Sequence, residues 1–458
     1  MLVRVAVALG LALRAFHYLR NPSVWHDEAA LIVNVLDLSF RDMLGPLLHA
    51  EAAPPLFLMI ERVVVLMLGE DEYALRLVPF LASCLALVLF ADLARRTLDS
   101  WAALLAVGLF AASDRLLWHA CEAKPYAIDV LIAVAAARWL VRSETWPLWK
   151  RCLPAAILAP VALWVSFPAC FILGGLLLAL APLVRKASWG NCAAFGLLVV
   201  VIGVAFGALA LGPAAAQRNP DMEACWAGHF PNWSRPWTVP LWVLASTFEV
   251  ARYCLLPLGQ VMLVFAAVGA ISLARTRSGL VVALATPLGL ALVAACLHKY
   301  PYGGSRLEVF AAPALCLLGA EGVRRCALWA APRSRGVAVF VVLLALVPVG
   351  QTLYRTVIPW ERAAHNEAAA HVLRHRAEGD AILVTHWEDE YYFRHAENWR
   401  TWVGAFEPRD LTAKRMWIVL AMDHETERFP FPPPAGWHVA EATMFQRVTV
   451  FRLERIRD

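Results

Sequence analysis

Long apolar runs recur along the chain as far as residue 351, at about 2–19, 75–94, 101–118, 125–141, 150–164, 167–184, 191–212, 255–274, 279–297, 307–323 and 336–351. A bilayer-crossing helix needs roughly 20 apolar residues, with a range of about 17–25, so these runs predict about eleven transmembrane helices. Pro154, Pro160 and Pro168 interrupt the 150–184 stretch, which is read as two short helices turning near Ser166 and Phe167. Basic residues collect in the connectors Arg95-Arg96, Arg142 to Arg151, Arg185-Lys186, Arg275/Arg277 and Arg324 to Arg335. Cytoplasmic loops carry such an excess, which puts the N-terminus inside. The opposite side then receives residues 20–74, 119–124, 213–254, 298–306 and everything after 351. Two segments do not fit the spanning pattern. Residues 54–69 open with Pro54-Pro55 and carry Glu61-Arg62 in the middle, which suits a re-entrant or interfacial helix. Residues 28–48 mix apolar and charged positions, which suits an amphipathic helix in the interface.

After Gln351 the texture changes. Charged residues become frequent, and Ala381–Val384, Met416–Leu420 and Val448–Phe451 read as short buried strands. A helical stretch near 361–376 and Gly379-Asp380 precede the first of them. The fold class expected is an all-α polytopic membrane domain over 1–351, with interfacial helices, followed by a small extracytoplasmic α/β domain over 352–458.

Composition agrees with this pattern. Of 458 residues, 60% are hydrophobic and 17% charged, where soluble domains sit near 45–50% apolar and about 25% charged. The net charge of +5 is small, and no basic, aromatic-interleaved surface suits nucleic acid. No Gly-rich nucleotide fingerprint occurs. Ten cysteines are scattered, mostly in apolar runs and without CxxC spacing, as small buried hydrophobes are; Cys225 and Cys254 fall outside the membrane and are the one candidate pair. Residues 2–19 are read as a retained anchor, not a cleaved signal. Trp226, Trp233 and Trp237 crowd the loop 213–240, either as interfacial anchors or as platforms for a sugar or lipid head.

Four polar clusters share one side under this topology. They are His26-Asp27-Glu28; His49 and Glu51 with Arg76 beyond; Glu122, Lys124, Tyr126 and Asp129; and His298-Lys299-Tyr300 with Tyr302 to Arg306. Carboxylates suited to base chemistry thus accompany cations able to hold a phosphate. His26, His49 and Glu51 are also candidate ligands for a divalent metal ion, though their spacing matches no strong signature.

These residues carry a resemblance. Asp27-Glu28 after the first helix, Ala53-Pro-Pro-Leu-Phe-Leu58 and Gly69-Glu-Asp-Glu-Tyr-Ala-Leu-Arg76 are followed by Glu122-Ala-Lys-Pro-Tyr126 and Tyr300-Pro-Tyr-Gly-Gly-Ser-Arg306. In order and spacing they resemble the GT-C membrane glycosyltransferases of the protein O-mannosyltransferase and aminoarabinose-transferase kind (glycosyltransferase family 39 and its bacterial relatives). The likeness covers residues 1–145 well and the remainder loosely. It implies transfer of a hexosyl or pentosyl group from a polyprenyl-phosphate donor to a lipid, glycan or protein acceptor. The reaction would lie on the extracytoplasmic face of a bacterial inner membrane. By matching position, Asp27 would be the base and Glu28 its support, with His49 and Glu51 lining the same cavity. Arg76 would match the arginine after the Pro-Pro segment, and Lys124, where many members carry Arg, would bind the carrier phosphate. Lys keeps the charge but loses the bidentate fork. Ala53 stands where many members have His, so a His contribution there is absent. Glu122, Tyr126 and Arg306 complete the expected substrate-binding set. The expectation is an inverting displacement, with Asp27-Glu28 and Lys124 in one water-facing hollow. A transporter or lipid flippase is the competing reading, and it would need ionisable groups near the bilayer midplane.

Overall fold

The computed structural model describes residues 1–185, 187–421 and 428–456; Lys186 of the third basic connector lies outside them. Helices follow the apolar runs closely: α1 (Leu2–Leu19), α2 (His26–Asp37), α3 (Pro55–Leu68), α4 (Glu72–Thr97), α5 (Ser100–Ala111), α6 (Asp114–His119), α7 (Tyr126–Arg142), α8 (Leu148–Val165), α9 (Ala169–Val184) and α10 (Trp189–Leu211). Two short pieces, α11 (Pro213–Ala216) and α12 (Pro220–Cys225), lead to α13 (Val239–Cys254), α14 (Gly259–Cys296), α15 (Ala312–Ala330) and α16 (Arg335–Val357). Among the described residues, α1, α4, α8, α10, α14 and α16 are long and apolar enough to cross a membrane, and α5 and α9 are shorter apolar helices. The chain is an integral membrane protein.

Local chemistry explains where helices stop. The apolar run 101–118 breaks after Ala111 because the Ser113 hydroxyl accepts from the Leu116 amide at 3.4 Å and starts α6 afresh. The runs 255–274 and 279–297 join as α14, but Arg277 leaves the helical region (φ −140°, ψ 52°), so two helices meet there. A straight helix of 38 residues would be about 57 Å long, nearly twice the hydrocarbon core of about 30 Å. The 14 residues of α3 span only about 21 Å.

Contacts divide the chain into two units, Met1–Arg20 with Ser39–Ile358, and Asn21–Leu38 with Pro359–Asp458. In the first, helices approach through small residues. A Cβ built on Gly269 of α14 would lie 1.9 Å from the Leu318 carbonyl oxygen, and one on Gly322 of α15 would lie 1.8 Å from that of Phe265. The two backbones therefore touch at a reciprocal pair of glycines, which is how apolar helices associate where hydrophobicity alone offers no preference. Arg14, a fully buried cation in this packing, is answered by hydrogen bonds. Its Nε donates to the Ser83 hydroxyl at 2.8 Å and its Nη1 to the carbonyls of Gly10 and Ala111 at 3.0 and 3.2 Å.

The second unit carries a five-stranded sheet of β1 (Ala381–Val384), β2 (Trp399–Thr401), β3 (Arg415–Ala421), β4 (Trp437–Phe445) and β5 (Val448–Arg455), in the order β2-β1-β3-β5-β4. β1 runs parallel to β2 and β3, and β5 is antiparallel to β3 and β4. Ile382, Val384, Trp417 and Val419 feed one core with Ala368 and Val372 of α17 (His365–His375), while Ala381, Leu383, Met416 and Ile418 feed the other. Both faces are covered, which is why β1 and β3 read as unbroken apolar runs. Two further short helices are α18 (Trp387–Phe393) and α19 (Pro408–Thr412). α2 belongs to this unit, and Glu28 through Val35 are all buried. It is therefore a buried helix, where its mixed sequence had suggested one lying at the surface of the bilayer.

The glycine contact is open to test. Gly322→Leu forces two backbones apart and should cost at least the ~1–3 kcal/mol of an overpacked core, lowering the thermal unfolding midpoint in detergent. Gly203→Leu, on α10 with nothing within 4 Å of the new Cβ, should leave the midpoint unchanged.

Candidate functional site

The α6–α7 turn gathers most of the polar groups of the helical unit. α6 ends at His119, the chain turns through Glu122 to Pro125 with the Lys124 amide donating to the Glu122 carbonyl at 2.8 Å, and α7 opens on Tyr126. The turn is buried, with Glu122 fully enclosed and Lys124 only 3% exposed. His119 Nδ1 lies 2.7 Å from Glu122 Oε2, and its Nε2 lies 3.0 Å from the Tyr253 hydroxyl. Burial pushes the His119 imidazole below its ordinary pKa, against the pull of Glu122, so the ring is neutral. A neutral ring donates from Nδ1 to the carboxylate and accepts the Tyr253 hydroxyl proton at Nε2. The Arg115 guanidinium lies over the Tyr253 ring, 5.0 Å from its centroid.

Lys124 is answered by Glu51. Its Nζ donates to Glu51 Oε2, while Glu51 Oε1 accepts from the Ala52 amide at 3.0 Å. The loop holding Glu51 is shaped with difficulty, since His49 and Ala50 both adopt the left-handed region at φ 56° and 51°. Such conformations cost about 1–3 kcal/mol each and persist only when the surroundings impose them. Gln217 holds the chain just beyond this loop. Its amide donates to the Ala53 carbonyl at 3.0 Å and accepts from the Ala53 amide at 3.1 Å, and the side chain is buried.

The stretch 300–306 brings the third cation. Ser305 and Glu308 form a capping box that starts a 3-10 turn at Arg306. Arg306 Nε donates to the Tyr126 hydroxyl at 3.0 Å, and its guanidinium lies 5.3 Å from the centroid of the Trp226 ring. Tyr126 in turn meets His119 edge-on, with centroids 4.8 Å apart. Gly304 has φ +77°, and a Cβ there would fall 2.5 Å from that of Glu249; only glycine lets the strand-like loop close on α13. Lys124, Arg115 and Arg306 thus surround Glu51, Glu122, His119 and two tyrosines in one linked group.

The acidic pair lies in the other unit. Asp27 and Glu28 occupy the first turn of α2, where the helix dipole favours negative charge. Glu28 is fully buried, and Arg362 Nη1 donates to its Oε2 at 3.1 Å and to the Ser23 carbonyl at 2.9 Å. His26 stacks on Trp387 at 4.1 Å and 14°, and its Nδ1 lies 3.4 Å from Glu388 Oε2. The hydrogen bond to Glu388 holds His26 above its ordinary pKa. His365 Nδ1 lies 2.7 Å from Asp389 Oδ1. Burial opposes charge on His365, but Asp389 and then Glu388 outweigh it and the imidazole sits above its ordinary value. Burial would raise Glu388 too, yet the His26 hydrogen bond and the His365 charge bring it below the usual carboxylate range.

Of the residues expected from sequence, Glu51, Glu122, Lys124, Tyr126 and Arg306 are brought together in the helical unit. Arg76 is buried in the second turn of α4, and His49 is the left-handed residue two before Glu51. Asp27 and Glu28 belong to the unit that contains the sheet. The candidate metal ligands do not make a set. His26 belongs to a different unit from His49 and Glu51, Glu51 engages Lys124, and among the described residues no group of three or more His, Cys, Asp or Glu side chains converges. Cys225 and Cys254 are both free, the first exposed and the second buried with its thiol directed to the Glu308 carbonyl at 3.7 Å. Trp226 meets a cation rather than standing open, while Trp233 donates to the Cys296 carbonyl at 2.9 Å and Trp237 is exposed. Sequence reasoning missed His119, Tyr253, Arg115, Gln217 and Arg362. Polar residues at both ends of α6 are the local signal for His119 and Arg115, and nothing local marks the other three.

Comparison with protein families and with curated proteins finds no match. Solved structures do match. ArnT from Cupriavidus metallidurans bound to undecaprenyl phosphate is similar over 98% of this chain and 97% of its own, with a TM-score of 0.56 at 14% identity. The apo state of the same protein gives a TM-score of 0.54 at 13% identity over the same shares. The Archaeoglobus fulgidus oligosaccharyltransferase in complex with Zn and sulfate matches 91% of this chain and 68% of its own, at a TM-score of 0.50 and 11% identity. Both the aminoarabinose transferase ArnT and the oligosaccharyltransferase are GT-C membrane enzymes. The chain has the GT-C fold. The likeness runs through the helices and on into the C-terminal sheet, so the expectation from the short motifs of residues 1–145 extends to the architecture of nearly the whole chain.

The histidine pairs give the sheet unit a stability optimum. His365 and His26, raised in the fold, contribute stability that is complete below the free histidine value of about 6.5 and is lost as pH rises through their raised values. Glu388, lowered in the fold, contributes stability complete above the free value of about 4.3 and lost as pH falls through its lowered one. Hydrogen exchange in residues 359–421, corrected for the intrinsic rate, should therefore show protection weakening above neutral pH. His365→Gln should flatten that alkaline limb.

Proposed function

We propose that the protein is a glycosyltransferase which moves a sugar from a polyprenyl-phosphate donor to an acceptor hydroxyl on the extracytoplasmic face of the membrane. The observation that carries this reading is the GT-C fold shared across nearly the full chain with ArnT, a protein solved with undecaprenyl phosphate bound. The polar groups of the α6–α7 turn give the reading its chemistry. Lys124, Arg115 and Arg306 supply positive charge suited to a phosphate group, set among the carboxylates of Glu51, Glu122 and Asp114.

In the proposed step the acceptor oxygen attacks the anomeric carbon, and the bond from that carbon to the phosphate oxygen breaks. The electron pair leaves with the polyprenyl phosphate, and Asp27 takes the acceptor proton. The configuration at the anomeric carbon inverts. The phosphate passes from a diester with one negative charge to a monoester able to carry two, so the cations gain most as the bond breaks; stabilisation that grows toward the transition state is the kind that accelerates a reaction. Lys124 is placed on the phosphate, with Arg306 and Arg76 as further cations, and Tyr126 and Glu122 orient the group. Glu28 supports Asp27, while His49 and Glu51 shape the loop beside Lys124. The acceptor is a hydroxyl of a lipid, glycan or protein.

Purified protein in nanodiscs, given a radiolabelled polyprenyl-phosphate hexose and acceptor extracts, should release sugar from the lipid. A flippase would move the intact lipid and release nothing. Asp27→Asn should lower kcat by about 10²–10⁴-fold, the usual worth of a general base; a folded variant keeping more than about a tenth of wild-type transfer takes Asp27 out of that role. Because both groups would act in one displacement, Asp27→Asn with Lys124→Ala should lose little more than the worse single variant.

A further inference from the structure

The segment holding the acidic pair is tied down by the C-terminal part of the chain on both sides of Asp27. Ahead of it, the Val24 amide donates to the Tyr392 hydroxyl at 2.9 Å, and the Asn366 amide donates to the Ser23 hydroxyl at 3.4 Å. At His26, Trp387 stacks and Glu388 pairs. Behind it, Arg362 reaches Glu28. The arginine contact differs in kind from the others, because one nitrogen, Nη1, joins the Ser23 carbonyl at 2.9 Å to the Glu28 carboxylate at 3.1 Å. It thereby fixes the length of the six-residue stretch Ser23–Glu28 that contains Asp27. Both side chains of the pair are withdrawn from water, 4% exposed for Arg362 and 0% for Glu28. A buried carboxylate that loses an ion-pair contact is a strained group that moves, and that movement would disturb the residue beside it.

We propose that Arg362 is the positioning residue for the acidic pair, bracing Ser23 and Glu28 so that the Asp27 carboxylate is presented in one geometry, and that the C-terminal unit serves the reaction through this brace. The inference rests on the reading of Asp27 as the base. Arg362 acts on the pair and not on the donor lipid, so its loss should lower turnover and leave donor binding alone. Misplacement of a reacting group by an ångström costs about a hundredfold, and that is the scale expected.

The test uses the full-length protein in nanodiscs and two readouts. Hydrogen exchange reports residues 21–38, and the transfer assay reports kcat and KM for the polyprenyl-phosphate hexose. In Arg362→Met, residues 21–38 should lose protection while the spanning helices keep theirs, with kcat down about a hundredfold and KM within about twofold. Arg362→Lys keeps the charge and loses the spread of the guanidinium, so it should recover part of kcat. Should Arg362→Met fail to fold, Tyr392→Phe removes a milder tie to the same stretch and should give the same signature on a smaller scale. The proposal is overturned if residues 21–38 keep wild-type protection, if they lose it with kcat unchanged, or if KM rises at constant kcat. A wild-type protein that transfers no sugar would overturn the enzymatic reading instead, and the exchange measurement alone would then decide whether Arg362 braces the segment.

Discussion

A charge taken out of water loses more hydration energy than any one contact restores, so it survives in a protein only when opposite charge and hydrogen bonds surround it. The buried pairs of both units follow from that constraint. Lys124 is buried because Glu51 meets it, and Gln217 holds the chain just beyond the strained loop on which Glu51 rides. Glu122 is buried against a neutral His119 braced by Tyr253. Glu28 is buried against Arg362, and Arg14, inside the helix packing, collects a hydroxyl and two carbonyls. None of these groups stands on its own, and removing either member of a pair exposes the cost of the other.

The same constraint makes such pairs useful to the proposed reaction, in which a phosphate is the leaving group. In the proposed reaction the donor phosphate would share Lys124 with Glu51, and the cations around the α6–α7 turn would be matched best once the leaving group had taken its second charge. Aromatic rings fill the remaining room. Tyr126, Tyr253 and Trp226 each touch a cation or the histidine through a face, an edge or a hydroxyl, so the cations are aimed without being neutralised.

The apolar periodicity carried most of the fold, because a spanning helix writes its length and solvent directly into composition. The limits of α1, α7, α10 and α16 fall within a few residues of the runs that predict them, and the central strands β1 and β3 were visible for the same reason: both faces are buried. Edge strands were not. β2 has three residues, and β4 alternates buried and exposed positions with Glu441 and Thr443 among them, so neither reads as an apolar run. In the site, residues near one another in sequence were legible: Glu122, Lys124 and Tyr126 share one turn. Gln217 and Arg362 were not, since each acts on a stretch of chain 164 and 334 positions away, and neither stands in any pattern of its own. α2 misled for a related reason: its polar residues are answered by partners that no local window contains.

That last separation has a consequence for how the protein is made. Ribosomes add about 5–20 residues each second, so the 334 positions between Glu28 and Arg362 correspond to roughly 20–70 s of synthesis. Throughout that interval the acidic stretch exists while the arginine that pairs with Glu28 does not. A nascent or prematurely terminated chain can insert its helices and still lack a finished acidic turn, which is completed only once synthesis has passed residue 362.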